Sequence, residues 1–333
     1  MNKSIRAILV PLAILVAALA APLVGYPVFL MKLLCFGLFA CAFNLLIGYT
    51  GLLSFGHAAM FGGAGYAAGY ALTELGLPFE AGIVLGVLAA AAIGLVMGAL
   101  AIRRQGIYFA MITLALAQMV YFAALRTPFT HGEDGLQGVP RGKLLGVLDL
   151  GNDLAAYYVV LALTLAGFAL IVRIVHSPFG QILKAIKENE PRAISLGYDV
   201  DRYKLLAFVL SSALAGLAGV LKTVVLGFET LTDVHWTMSG LVILMTLVGG
   251  MGTLAGPVLG AFLIVSLENK LGDWGNLLAG ATRVEWFAGL GESVGIVTGL
   301  IFVACVLLFR RGIVGEAAVA LARVGKRRGA DTL

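Results

Sequence analysis

HSPFGQILKAIKENEPRAISLGYDVDRYK, residues 176–204, is the long charged island between apolar runs of membrane length, and its reading orders the rest of the chain. Ser177-Pro178 predicts a helix start: a hydroxyl to cap free N–H groups, then a proline at the first helical position. Phe179, Ile182, Leu183 and Ile186 fall at i, i+3, i+4 and i+7, while Gln181, Lys184, Lys187 and Glu188 take the opposite face. One face suits a bilayer or a helix bundle and the other suits water. Asn189-Glu190-Pro191 ends that helix and opens a second, Arg192 to Leu196, which Gly197 closes in the left-handed conformation. A solvated connector with chance amphipathicity shares part of this pattern, so the flanking sequence decides between the two.

Those flanks are apolar throughout. Of 333 residues, 60% are hydrophobic and 12% charged, against roughly a quarter charged in a soluble domain. A span needs roughly 20 mostly apolar residues, and about ten such runs are present, two of them short. They lie near 7–24, 28–47, 57–73, 80–102, 106–125, 154–175, 205–227, 236–249, 253–268 and 293–309. The expectation is one all-α polytopic transmembrane domain over 1–333, with an outer loop at 126–153 and a basic tail at 310–333. Lys3 and Arg6 before the apolar run resemble a signal peptide, but the run exceeds a signal core and shows no clear cleavage site, so it is read as a retained span. Ten crossings put both termini on one side. With that side cytoplasmic, the inner segments hold Lys3, Arg6, Arg103, Arg104, Arg173, Lys184, Lys187, Arg192, Arg202, Lys204, Arg310, Arg311, Arg323, Lys326, Arg327 and Arg328, or 16 of the 23 basic residues. The positive-inside rule then orients the chain and places 176–204 in the cytoplasm.

Two glycine-rich stretches interrupt the apolar pattern. Asn44–Tyr70 carries glycines at 48, 51, 56, 62, 63, 65 and 69, together with Asn44, Ser54 and His57. Irregular backbone at membrane depth is viable only when buried in protein or lining a wet cavity. Small residues also permit close helix packing, and Gly65 to Gly69, Gly94 to Gly98 and Gly291-Gly295-Gly299 offer the same device. Both readings stand for this segment, and His57 is read as a packing residue or as a ligand or proton carrier. A second break, Leu247–Phe262, includes Gly250 and Gly252 between two runs too short to span upright. Interrupted segments in corresponding places of two halves mark the pathway of a transporter built from repeats. Lys222, near an outer helix end, is placed to snorkel toward Glu229. Glu268 to Glu292, with Trp274 and Trp286, reads as interfacial, and Lys326-Arg327-Arg328 as an anchor to inner-leaflet lipids.

Several chemistries find no support. The net charge of +5 is not gathered into an aromatic-interleaved basic patch, so nucleic acid is excluded as a partner. Cys35, Cys41 and Cys305 sit in apolar runs and make neither a disulfide framework nor a zinc site. Gly142-Lys143-Leu144 lacks the spacing and the Ser/Thr of a Walker A loop. No metalloprotease motif and no defensible Ser/His/Asp set is present, and the carboxylates fall at span ends or in loops rather than at mid-depth. The sequence has a pathway and no motor of its own.

Four motifs then carry a resemblance: GYTGLLSFGHAAMFGGAGY, the outer THGEDGLQGVP, KAIKENEPRAISLGYDVDRYKLLAFVLSSALAGLAGVL and LVGGMGTLAGPVLGA. In order from about Asn44 to Phe262, they resemble the M-type membrane permease subunits of branched-chain amino-acid ABC importers. In that family the charged island is a coupling-helix pair docking into the ATPase subunit. The general importer motif has Glu-Ala-Ala, three residues, then Gly. Aligned on Gly197, this chain has Pro191-Arg192-Ala193, with Ala193 and Gly197 matching and the acid displaced to Glu190. The resemblance implies no catalytic residue or metal here, with ATP and magnesium used by two cytoplasmic ATPase subunits. It also implies a heterodimer with a related permease, a periplasmic substrate-binding protein and a bacterial inner-membrane location. Lys184, Lys187, Glu190, Arg192, Ala193 and Gly197 are the implied ATPase-coupling positions. Asn44, Gly51, Ser54, His57, Gly250 and Gly252 are the pathway, and Glu133 and Asp134 face the binding protein. Similar permeases carry urea, short amides or other amino acids. The rivals are an ion-coupled secondary carrier and a membrane-embedded enzyme or structural subunit.

Overall fold

The computed structural model describes residues 16–23, 25–146, 148–282, 294–308 and 312–316. Most of the first expected span, 7–24, and most of the basic tail, including Arg310, Arg311, Arg323 and Lys326 to Arg328, lie outside them, as do Trp286 and Glu292.

Each of the other nine expected spans overlaps a helix. Pro27 opens α1 (Pro27–Tyr49) from its first position, and α2 (His57–Thr73) follows the first glycine break. Next come α3 (Phe79–Ala101), α4 (Ile107–Arg126) and α5 (Asp153–His176), where Asn152 accepts the Leu154 N–H at 2.9 Å. The charged island is α6 (Pro178–Glu188) and α7 (Glu190–Ser195). Beyond it lie α8 (Val200–Leu226), the single turn α9 (Leu231–Val234), α10 (Trp236–Gly249), α11 (Gly256–Thr282) and α12 (Val294–Leu308). Among the described residues five helices, α1, α3, α4, α5 and α8, are long and apolar enough to cross a membrane. This is a multi-pass membrane bundle. The all-α class holds except for two short antiparallel ladders, β1 (Leu136–Gln137) with β4 (Phe228–Glu229) and β2 (Lys143–Leu144) with β3 (Leu148–Asp149).

α8 is the hub, packed on α1, α2 and α3, and α1 adds α5, α10 and α11. α3 and α4 turn large apolar side chains outward, among them Leu88, Val96, Met111 and Met119. In a membrane protein that face meets lipid. Cys35 and Cys41 are buried and unpaired, as small core residues would be.

Backbones meet where side chains are absent. A Cβ added at Gly219 of α8 would overlap the carbonyl of Phe61 in α2, with Phe61 C at 2.8 Å, and one at Gly260 of α11 would overlap the carbonyl of Met245 in α10. Gly65 and Gly98 make the close approaches expected of them: their added Cβ atoms would lie 2.5 Å from Thr223 Oγ1 and 2.8 Å from Leu205 Cδ1. For the third expected stripe, Gly295 and Gly299 on α12 meet nothing within 4 Å among the described residues, and Gly291 is outside them. Gly219→Ala is therefore expected to cost about 1–3 kcal/mol by overpacking. Gly299→Ala should be neutral or stabilising by up to about 1 kcal/mol. Thermal unfolding of the two variants in detergent separates them.

Polar connections sort to two opposite ends. One end collects the turns at 50–56, 102–106 and 250–255 and the α6–α7 pair. The other collects 127–152 and 227–235, where Arg141 Nη1 donates to Asp153 Oδ1 at 2.5 Å and its Nη2 to the Val225 carbonyl at 3.1 Å.

Candidate functional site

At the first of these ends the α6–α7 pair folds as its caps dictate. Ser177 Oγ accepts the Gly180 N–H at 3.3 Å, and its own hydroxyl donates to the Ile174 carbonyl at 2.6 Å. An added Cβ at Gly180 would sit 2.5 Å from the Val175 carbonyl oxygen, so only glycine lets α6 turn back this tightly under α5. Asn189 Oδ1 accepts the Arg192 N–H at 3.0 Å and starts α7. Gly197, at φ +89°, ends it: the Gly197 N–H reaches Ile194 O at 2.9 Å and the Tyr198 N–H reaches Ala193 O at 3.2 Å. That double bond pattern with a left-handed glycine is a Schellman termination, as the sequence predicts. Gly180, Leu183 and Ile186 are the buried stripe of α6.

The six expected coupling positions divide. Arg192 and Gly197 are exposed and Lys184 is half-buried, its ammonium 5.7 Å from the Tyr49 ring centre. Of the other three, Ala193 and Glu190 turn inward and Lys187, though exposed along much of its length, reaches inward with its ammonium, contrary to a purely outward-facing polar face. Ala193 is buried against Ile186 and Val200, where it closes the small core of the helix pair. Glu190 accepts from Lys204 Nζ at 2.6 Å and from Gln105 Nε2 at 2.8 Å, so its carboxylate ties α7, the start of α8 and the α3–α4 turn together. Lys187 donates to the Gly48 carbonyl at 2.7 Å, and burial pulls its ammonium below the usual lysine range. Three side chains that sequence reasoning passed over stand outward instead. Ile194 is 56% exposed, Leu196 68% and Tyr198 39%, an apolar tip on a basic surface. Exposed apolar groups rimmed by charge mark a contact site.

Lys187 leads directly to the glycine breaks. Gly48 is one of the last carbonyls of α1, which lack intrahelical donors and carry the negative end of the helix dipole, so an ammonium is a natural partner. The lysine stem lies on Gly51, at φ +79°, whose added Cβ would come within 3.1 Å of Lys187 Cγ. One turn earlier, Asn44 clamps the second break: its Oδ1 accepts the Gly252 N–H at 2.9 Å and its Nδ2 donates to the Thr253 carbonyl at 2.8 Å. Gly48 must be glycine for this, since an added Cβ would sit 2.8 Å from Gly252 N. The second break turns through Gly250 at φ +128° and Gly252 at φ +78°, with Gly312 packed against Gly250. Asn44, Gly51, Gly250 and Gly252 thus belong to one joint between α1, α6 and the α10–α11 turn.

Ser54 and His57 serve the same break from its other side. Ser54 Oγ accepts the Gly56 N–H at 3.0 Å, and the Ala58 N–H at the start of α2 is met by Ser239 Oγ from α10 at 2.9 Å. His57 is fully buried between the Phe43 and Phe208 rings. Ser211 gives its proton to the Ala42 carbonyl at 2.6 Å, so it accepts from His57 Nε2 at 2.9 Å, which assigns the Nε2–H tautomer. His57 Nδ1 has no partner among the described residues.

The opposite end holds a buried charge cluster. Lys222 Nζ donates to Glu229 Oε2 at 3.2 Å and Asp233 Oδ2 at 2.5 Å, with Thr223 Oγ1 on Glu229 at 2.5 Å. The expected pairing with Glu229 is present, but the ammonium does not reach water: Lys222 is 3% exposed and Glu229 0%. The expected span stops at Glu268, whereas α11 continues to Thr282; Glu268 lies within electrostatic range of Lys32, in the second turn of α1, and so stands level with the end of that span rather than at its middle. Glu133 and Asp134 are exposed on a single 3-10 turn of the loop at this end.

The sequence family described as branched-chain amino acid transport system / permease component matches residues 28–306. The high-affinity branched-chain amino acid transport system permease protein LivM of Escherichia coli (strain K12) is 28% identical over 254 residues, 69% of this chain and 60% of LivM. The autoinducer 2 import system permease protein LsrC of Klebsiella pneumoniae is 32% identical over 158 residues, 44% of this chain and 43% of LsrC. The xylose transport system permease protein XylH of Escherichia coli (strain K12) is 28% identical over 153 residues, 44% of this chain and 39% of XylH. This chain therefore spans about 60% of the length of the LivM protein it matches.

Proposed function

The chain belongs to the family of permease components of branched-chain amino acid transport systems, and from that premise we propose that it is one membrane subunit of an ATP-driven importer. Its substrate class is branched-chain amino acids, as the LivM similarity suggests; urea, short amides and other amino acids are the alternatives within the family. A related permease completes the pathway, two cytoplasmic ATPase subunits bind ATP and magnesium, and a periplasmic binding protein delivers substrate against the loop carrying Glu133 and Asp134. The chain crosses the bacterial inner membrane about ten times with both termini in the cytoplasm. The end bearing α6–α7 is the cytoplasmic one, in keeping with Arg103, Arg104, Lys184, Arg192 and Arg202 gathered there.

One observation carries this reading. The surface helix pair is bonded, through Lys187 and Gly48, to the place where the two glycine breaks meet. A separate motor pushing on that pair would act on the pathway directly. Reconstitution in liposomes tests it: radiolabelled leucine is expected to enter only with ATP and all partner subunits present. Uptake by this chain alone under an ion gradient would instead establish the secondary carrier. A second expectation concerns docking. Charge reversal at Lys184 and Arg192 should weaken ATPase-subunit binding by about tenfold or more while membrane insertion is unchanged. Co-purification in detergent measures it, and wild-type assembly in the double variant removes the role of those side chains.

A further inference from the structure

Three segments far apart in sequence meet at the last turn of α1 with no side-chain layer to cushion them. The Gly48 carbonyl accepts from Lys187 Nζ at 2.7 Å on one side, and the Gly48 Cα faces Gly252 backbone on the other, leaving room for no Cβ. Asn44, on the same helix face one turn back, holds that Gly252–Thr253 turn by two hydrogen bonds. Close-packed backbone transmits displacement instead of absorbing it. The flanking Gly51, Gly250 and Gly252 have positive φ, the conformations in which a chain can pivot without a Cβ clash. Withdrawal of α6 must therefore break the Lys187 bond or move the end of α1 and the 250–253 turn as one body.

We propose that Lys187 is the positioning residue through which movement of the α6–α7 pair reaches the pathway: its ammonium holds the Gly48 carbonyl, and through Asn44 that hold sets the conformation of the second glycine break. This rests on the importer reading and assigns within it a link that the charge pattern of α6 alone does not reveal, since Lys187 falls on the face expected to meet the motor. The competing role is a local one, a cation neutralising a helix C-terminus with no consequence beyond α1.

The two roles separate in the complete complex with its ATPases, sister permease and binding protein. Lys187→Met keeps the apolar stem that covers Gly51 and removes the donor. Leucine molecules imported per ATP hydrolysed are expected to fall by about two- to thirtyfold, the range for a residue within a coupling network, and Lys187→Arg, which retains a cationic donor, to recover part of the loss. An unchanged ratio in Lys187→Met overturns the proposal. If that variant does not assemble, Lys187→Arg decides by the same ratio, a value at or below a tenth of wild type counting against it. Hydrogen exchange at the Gly252 amide supplies a readout independent of transport. It should speed up several-fold in Lys187→Met, and an unaltered rate also overturns the proposal. A wild-type complex that imports nothing with ATP refutes the importer reading instead, and exchange at Gly252 then still decides whether Lys187 controls the turn.

Discussion

Exchanging Lys222 for methionine is expected to unfold the end of the molecule where α8 meets β4 and α9, at a cost of about 3–5 kcal/mol, because it leaves the Asp233 carboxylate and the Glu229 carboxyl buried without a cation. The stem of Lys222 would be replaced almost atom for atom, so packing changes little and the loss is electrostatic. Asp233 is tied by its Oδ2 to Thr230 Oγ1 at 2.7 Å and to the Thr230 N–H at 3.2 Å, and Glu229 to Thr223 at 2.5 Å, so neither side chain can swing out to water. Nor can the backbone give way. An added Cβ at Gly65 would lie 2.6 Å from the Glu229 carboxyl carbon, which shows how closely α2 seals the cluster. Thermal unfolding in detergent, followed by intrinsic fluorescence, measures the loss. Adding Glu229→Gln and Asp233→Asn to Lys222→Met should recover most of it, since removing a buried ion set entirely is far less harmful than removing one partner. A single variant that melts with wild type would show the cluster to be energetically idle.

The same cluster sets a pH dependence. Burial is the main force on the Glu229 carboxyl and pushes it up to about 8; the Asp233 charge adds to this, while Lys222 and the Thr223 hydroxyl oppose it. One ammonium then faces one carboxylate and one neutral carboxyl, which balances the charge of a dry site. A carboxyl raised in the fold favours the folded state most at low pH. Its contribution is complete below about 4.5, declines as pH rises, and is gone above about 8. Melting temperature should therefore fall between about pH 4.5 and 8, with a slope of at most about 1.4 kcal/mol per pH unit from this group. Glu229→Gln should flatten that window, and an unaltered slope in the variant would assign the dependence to other residues.

What the sequence made legible was local. Ser177-Pro178, Asn189 and Gly197 act within four residues of themselves, so the caps of α6 and α7 follow from their order in the chain. The glycine breaks were visible as interruptions for the same reason. What remained hidden is mostly long-range pairing. Glu190 finds Lys204 and Gln105, and Lys187 finds Gly48, 139 positions away, contacts that no spacing rule encodes. Uniform apolarity conceals more. α1 and α3 read alike, yet 78% of the most apolar window of α1 is buried in the bundle and 28% of that of α3, because in a membrane both the core face and the lipid face are hydrophobic. The continuation of α11 beyond Glu268 was hidden as well, because hydropathy marks where an apolar segment ends and not where its helix does.

Asn44→Asp is expected to disable transport outright, more severely than Asn44→Ala, and the order of the two variants tests how the glycine breaks are joined. In the alanine variant the Gly252 N–H and the Thr253 carbonyl both lose their partner. Both residues are half-buried, so water replaces part of what is lost and the cost is about 1–3 kcal/mol in total. Aspartate keeps the acceptor for Gly252 but sets a second oxygen against the Thr253 carbonyl where Asn44 Nδ2 now donates at 2.8 Å. Asn44 is 2% exposed, so the new charge is buried without a cation, and the added repulsion brings the cost to about 3 kcal/mol or more. Leucine uptake by the reconstituted complex should fall in the order wild type, alanine, aspartate, and melting temperature in the same order. Were the clamp only a packing contact, aspartate, nearly the same shape as asparagine, would outperform alanine. That inversion would separate the two breaks mechanically and leave Lys187 acting on α1 alone.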